Sequence, residues 1–300
     1  TRFSLDVTRD EVAELARCMS WKLAVHGFPV GGAKAGLRCD PSDPRLPELL
    51  AVFGRALEAP LRSHVVIGKD LGATNAMLDA IYATIGIPQM HVVQSRPHGE
   101  ETPGRLRDLA GYRRHMTGLG IAWAVQAHAG DSLQDLRVCI QGFGAVGAGA
   151  AARLSALGAQ VVGVSDAQGT IARPSGLGIS ELLRAQGEGG RIDREALGEH
   201  RSAERDALFA IDADLLVLGA TSHSVGKTQA EQIVAPLVVE GANFGLTENA
   251  RELLHERRVV VIPDVLANSS SAAMVALQMT TGNGLSEAAL WDGIEGSIKG

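Results

Sequence analysis

The chain has 300 residues, enough for two domains of ordinary size, and 45% of them are hydrophobic, enough for full cores. A net charge of −6 and an aromatic content of 4% give no electrostatic or stacking reason to expect DNA, RNA or an anionic membrane as a partner. No apolar run approaches the roughly 18 residues of a membrane span and no signal peptide is visible, which predicts a soluble, cytoplasmic protein. The 36 glycines predict frequent tight turns and close backbone approaches. Cys18, Cys39 and Cys139 have no CxxC spacing and read as reduced thiols. The nine histidines form no HxxxH or HExxH pair, so no metal site is expected.

In chain order, residues 8–26 read as a helix. Thr8 is a candidate N-cap with Glu11 three positions on, and Val12, Leu15, Ala16, Met19 and Leu23 recur at helical spacing. Lys22 falls near its C-terminal end, before Gly27 and Pro29. Gly31-Gly32-Ala33 and Ala35-Gly36 then flank Lys34, which positions a lysine where backbone can approach a ligand closely. Residues 45–58 predict a second helix. Val65-Val66-Ile67 predicts a short strand broken by Gly68-Lys69-Asp70-Leu71-Gly72, and residues 74–83 a helix. Residues 94–106 read as a loop or hinge approach, and 108–128 as a long helix.

From 137 to 166 the pattern is strand, turn, helix, strand. The turn is Gly142-Phe143-Gly144-Ala145-Val146-Gly147, and Asp166 ends the second strand. GxGxxG alone is a weak signal, but a strand before it, a helix after it and an acid closing the next strand supply its context. Gly142 allows the tight turn, Gly144 the approach of a pyrophosphate, and Gly147 close helix packing. The helix N-terminus offers free N–H groups to the phosphates. Asp166 is placed to accept from the adenosine ribose and to repel a 2′-phosphate, which favours NAD over NADP unless a neighbouring arginine such as Arg173 intervenes. Gly226-Lys227-Thr228 resembles the end of a P-loop, but Thr221 stands where that motif needs Gly, so Lys227 reads as a solvated helix start. Further strands are expected at 215–218, 237–240 and 259–262, and helix over most of 269–299. Alternating strands and helices argue for an α/β fold with a mostly parallel, doubly wound sheet.

Five ordered motifs carry a resemblance over nearly the whole chain. They are Trp21-Lys22 with Gly31-Gly32-Ala33-Lys34-Ala35-Gly36 and Asp40-Pro41; Asp70-Leu71-Gly72-Ala73-Thr74-Asn75; the glycine turn after Gln141; Val239-Glu240-Gly241-Ala242-Asn243; and Ile262-Pro263-Asp264-Val265-Leu266-Ala267-Asn268. Together they resemble the Glu/Leu/Phe/Val dehydrogenase family of NAD(P)-dependent amino-acid dehydrogenases. The resemblance implies two domains facing a cleft: a substrate and catalytic domain over 1–116, a Rossmann-type NAD domain over 117–273, and a helical segment over 274–300 returning toward the first. By resemblance, Lys22 binds the substrate α-carboxylate, and Lys34 and Asp70 are the catalytic pair. Asn243 and Asn268 line the nicotinamide end, and Thr117 and Ala220 complete the cofactor contacts. A lysine with its ordinary pKa of about 10.4 is a poor base at neutral pH, so burial and a second ammonium are expected to lower that of Lys34.

The sequence departs from the family in places. The family's upstream stretch, which carries part of the pocket wall, has no counterpart before Thr1, which reads as a fragment or a shortened member. The aspartate motif carries an additional Ala73, and Ser269-Ser270-Ser271 replaces Ala-Gly-Gly. Val275, Ala272 and Gly68 stand at pocket positions, and their small or apolar character suggests an apolar or aromatic amino acid as substrate. The reading is reversible NAD-dependent oxidative deamination of an L-amino acid by a homo-oligomer. The rivals are glutamate dehydrogenase, a 2-hydroxy-acid dehydrogenase, for which no suitable histidine is found, and a non-catalytic nucleotide-binding homologue.

Overall fold

A computed structural model describes residues 1–87, 91–95, 101–105, 116–281 and 287–299. The chain forms two compact units, Thr1–Asp108 with Ala272–Ile294, and Leu109–Ser271 with Glu295–Gly300. The sequence reading divides the chain at 116 and 273, whereas the segment Glu295–Gly300 groups with the second unit.

The first unit begins with β1 (Arg2–Phe3), α1 (Arg9–Val25), β2 (Gly36–Leu37), α2 (Leu46–Ala56), α3 (Glu58–Ser63) and α4 (Asn75–Thr84). The Thr8 hydroxyl accepts from Glu11 N, and Asp10 and Glu11 lie in the first turn of α1, where the dipole favours acids; Lys22 lies in the last, where it favours cations. Thr74 caps α4 in the same way through Met77 N. β1 and β2 pair in parallel, Arg2 with Gly36 and Phe3 with Leu37. Phe3, Leu50, Leu61, Leu78, Ile81 and Tyr82 form the buried centre, and Phe3 meets Phe53 edge-on at 5.8 Å. Each such side chain contributes about 1.5–3 kcal/mol by leaving water.

Two expectations fail here. Val65, Val66 and Ile67 join no ladder; Ile67 N donates instead to the Tyr82 hydroxyl at 3.2 Å, so β-branched residues without a partner strand stay single. The stretch read as a loop over 94–106 takes in the end of β3 (His91–Ser95) and the whole of β4 (Glu101–Arg105), an antiparallel pair with His91 opposite Arg105 and Ser95 opposite Glu101. Pro103 is compatible with this because each strand of a two-stranded ribbon is an edge.

The second unit starts with α5 (Met116–Ala129); the part of its expected span over 108–115 lies outside the described residues. There follow β5 (Arg137–Gln141), α6 (Ala145–Ala156), β6 (Gln160–Asp166), β7 (Gly169–Ala172), α7 (Ile179–Arg184), β8 (Arg201–Ala203), β9 (Leu215–Leu218), α8 (Lys227–Gln232), β10 (Leu237–Glu240), α9 (Glu248–Glu256), β11 (Val260–Ile262) and α10 (Asp264–Ala267). The sheet order is β11-β10-β9-β5-β6-β7-β8. The first five strands run parallel; β7 and β8 are antiparallel additions at one edge. This is the doubly wound, Rossmann-type arrangement. β9 and β10 are buried throughout, as parallel strands covered on both faces must be. The chain ends with α11 (Ser270–Thr281) and α12 (Glu287–Lys299). No helix among the described residues is long and apolar enough to cross a membrane.

Candidate active site

In the first unit, the site begins with how α1 meets the glycine stretch. Gly32 N donates to the Ser20 hydroxyl at 3.1 Å, and that hydroxyl donates to Ala16 O at 3.3 Å. A Cβ on Gly32 would lie 2.2 Å from Ser20 N and 2.5 Å from Ala16 O, so only glycine lets this backbone run against the helix. The contact ties the segment carrying Lys34 to the helix carrying Lys22, and Lys22 is buried in the last turn of α1.

Lys34 Nζ lies 2.5 Å from Asp70 Oδ2, with 11% of the lysine and 19% of the aspartate side chain exposed. Arg2 Nε bonds the same oxygen at 3.1 Å, and the other end of the Arg2 guanidinium pairs with Glu11. Burial pushes the Asp70 carboxyl up, but Lys34 and Arg2 outweigh it and hold Asp70 below its ordinary value. Gly68 is exposed, with open space where a Cβ would point. It lines a cavity of about 170 Å³ beside Lys34, with Leu57, Leu61, Val65 and Ile67 among its walls. Ala272 and Val275 are half-buried on the first half of α11. Arg2 escaped the sequence reading; the parallel pairing of β1 with β2, which brings the start of the chain beside the glycine stretch, leaves too short a signal in two-residue strands.

In the second unit, Gly142 adopts φ 82°, and a Cβ there would lie 2.7 Å from Ala220 Cα. A Cβ on Gly147 would lie 1.9 Å from Gly142 O. On Gly144, which caps α6, it would meet nothing within 4 Å. Two of the three glycines therefore serve chain packing, and the third leaves open space at a helix N-terminus. Phe143 is buried beneath the turn, Ala145 is exposed in the first turn of α6, and Val146 is half-buried against Gly241. Ala220 is exposed at the end of β9, and Thr117 is half-buried on α5. Asn268 Nδ2 donates to Gly241 O at 3.1 Å and to Asn243 Oδ1 at 3.2 Å. Its own Oδ1 is buried and accepts no bond among the described residues. A buried acceptor left open is costly unless a donor arrives, and a carboxamide N–H is such a donor. The glycine turn and this orphaned oxygen fit a nicotinamide dinucleotide.

Asp166 differs from its expected role. Its carboxylate accepts from Gln168 N, Ile192 N and both Nη atoms of Arg194, so the ribose is offered no free oxygen. Burial pushes its carboxyl up, but these donors hold it below its ordinary value. Arg173, the arginine singled out from sequence, instead donates to Glu199 O at 2.5 Å. Arg194 was missed because it belongs to no motif and meets Asp166 only through the path of the chain after α7. Lys227 is an exposed helix start. No cluster of metal-binding side chains occurs among the described residues.

Residues 110–288 match the profile of the Glutamate/Leucine/Phenylalanine/Valine dehydrogenases, and residues 1–86 match that family's dimerisation domain. The chain is similar to the glutamate dehydrogenase of Thermotoga maritima, with 37% identity over 284 residues, covering 91% of this chain and 66% of that protein. It is 32% identical over 282 residues to the NADP-specific glutamate dehydrogenase of Saccharolobus shibatae, covering 89% of this chain and 64% of that one. It therefore spans a little under two thirds of the length of these relatives. The leucine-bound crystal structure of the hetero-hexameric glutamate dehydrogenase of Thermus thermophilus superposes with a TM-score of 0.79 at 30% identity, over 99% of this chain and 72% of that one.

Proposed function

Because the chain belongs to the Glu/Leu/Phe/Val dehydrogenase family, we propose that it catalyses reversible oxidative deamination of an L-amino acid to the 2-oxo acid and ammonia. The observation that carries this reading is the 2.5 Å contact between Lys34 Nζ and Asp70 Oδ2, in a site that excludes most water. Lys22, buried at the end of α1, holds the substrate α-carboxylate. Asp70, kept ionised by two cations, takes and returns the proton of the amino nitrogen. Lys34 orients and activates the water that replaces ammonia. The nicotinamide cofactor, when bound, accepts the hydride. Gly144 and the first turn of α6 would hold its pyrophosphate, and Asn268 Oδ1 its carboxamide.

Glutamate is the first candidate substrate, since the relatives named above are glutamate dehydrogenases. A second reading, an apolar or aromatic amino acid, is favoured by the apolar cavity beside Lys34 and by Gly68 and Val275. Assembly into a homo-oligomer is supported by the match of residues 1–86 to a dimerisation domain.

Lys34→Ala should lower turnover by at least about a hundredfold, the scale of proton-transfer catalysis, with NADH binding retained. The assay is absorbance of NADH on a panel of amino acids. Turnover by the variant at the wild-type rate would refute the roles, and a preference for leucine or phenylalanine over glutamate would establish the second reading. Failure of the wild-type chain on every amino acid would leave a nucleotide-binding homologue.

A further inference from the structure

A carboxylate offers about four lone-pair positions. On Asp166 four donors fill them: Gln168 N at 2.8 Å and Arg194 Nη2 at 2.6 Å on Oδ1, Ile192 N and Arg194 Nη1 at 2.7 Å each on Oδ2. Only 2% of the side chain is exposed. Arg194 is fixed in turn by Ile192 O, Gln168 Oε1 and Gly169 O. The segment leading to it lies against the glycine turn: Gln186 Nε2 donates to Phe143 O at 2.6 Å, and a Cβ on Gly190 would lie 2.7 Å from Gly144 N. The guanidinium pair is therefore built into the same wall as the turn.

A carboxylate at the end of this strand selects NAD in two ways. It accepts from the ribose 2′-hydroxyl, and its charge repels a 2′-phosphate. A carboxylate in a bidentate pair with arginine does neither, because its oxygens are occupied and its charge is offset. Arg194 keeps 22% of its side chain exposed, so its positive charge borders the surface at this point. We propose that Arg194 sets the ribose preference of the chain: by occupying Asp166 it abolishes discrimination against the 2′-phosphate, so that NADP is taken at least as readily as NAD. The proposal rests on the dinucleotide site proposed above.

The test is equilibrium titration of the whole chain with NADH and NADPH, followed by nucleotide fluorescence, with 2′,5′-ADP and 5′-AMP as probes of the adenosine end alone. The wild type should bind NADPH with a Kd no larger than that for NADH, and 2′,5′-ADP no more weakly than 5′-AMP. In Arg194→Ala, Asp166 regains two open lone pairs and an unpaired charge. The NADPH-to-NADH ratio of Kd should then rise at least tenfold, and the fragment ratio should follow. Arg194→Lys keeps the charge and loses the paired geometry; it should move both ratios the same way by about threefold, and it serves if the alanine variant does not fold. Tenfold tighter binding of NADH than NADPH by the wild type, or ratios unmoved in the variants, would overturn the proposal. Binding of none of the four nucleotides would remove the dinucleotide site itself, and this assignment with it.

Discussion

Asp70 meets two cations on one oxygen. Lys34 and Arg2 both engage Oδ2, and Oδ1 has no bond among the described residues. That asymmetry suits a carboxylate that must face a substrate while staying ionised. Arg2 engages Asp70 and, at its other end, Glu11, so its proposed role is to act through Asp70 as a positioning residue. Arg2→Gln removes one of the two charges that lower the Asp70 pKa. The pKa then rises, and the acid limb of the rate profile, where Asp70 becomes protonated, moves to higher pH. We expect kcat to fall by about tenfold with KM changed less than about twofold, because Lys22, the proposed substrate anchor, is untouched. Arg2→Lys should recover part of both effects. A pH profile identical to the wild type in Arg2→Gln would leave Arg2 a purely structural residue.

At the scale of elements, the two lysines are related by a helix and a backbone strip that touch at Gly32, bridged by the Ser20 hydroxyl. Gly32 is the point of contact, and an added methyl has backbone on three sides, at Ser20 N, Ala16 O and the Met19 carbonyl carbon. Gly32→Ala must therefore move the strip rather than a flexible side chain. A displacement of about 1 Å in such a site can cost on the order of a hundredfold in rate. We expect kcat/KM to fall by at least that factor while NADH binding is unchanged, since the glycine turn belongs to the other unit. Loss of NADH binding in this variant would show that the substitution unfolds more than the strip.

The same elements explain what was legible from sequence. The helix at Lys22 announced itself by a cap and a 3.6-residue period, and the β5-turn-α6-β6 unit by glycines, of which Gly142 and Gly147 have their side-chain space filled by backbone. β9 and β10 are short apolar runs and were read at their observed bounds. β7, β8, β3 and β4 were not, because they are antiparallel strands of three to five residues that draw their stability from a neighbour rather than from their own pattern. Val65–Ile67 is the converse, a strand-like composition with no neighbour. The local part of the site, Lys34 among its glycines, was visible; Arg2 and Arg194 were not, because each reaches its carboxylate through tertiary structure.

For the whole molecule, Asp70, Asp166 and Glu240 make opposing demands on pH. Asp70 and Asp166 have folded-state pKa values below their unfolded ones, each because cationic and backbone donors outweigh burial. Their contribution to stability is complete above the unfolded value of about 3.9 and is lost as pH falls through the folded values below it. Glu240 is fully buried and its pKa is raised by burial, against the pull of Leu246 N and Arg251. Its contribution is complete below its unfolded value of about 4.3 and is lost as pH rises through its raised folded value. The melting temperature should therefore peak at about pH 4, where the aspartate contributions are complete and the Glu240 contribution has not begun to be lost. It should fall steeply below about pH 4 and decline gently above the peak. Arg194→Ala lets the Asp166 pKa move back toward its ordinary value, so the acid loss becomes shallower. Glu240→Gln removes the group that opposes alkalinisation, so the gentle decline disappears. Calorimetric melting from about pH 3 to 8 on the three proteins separates these effects, because each variant should flatten a different side of the curve. An Arg194→Ala profile that fell as steeply in acid as the wild type would mean that the four-donor carboxylate at the end of β6 does not set the acid loss.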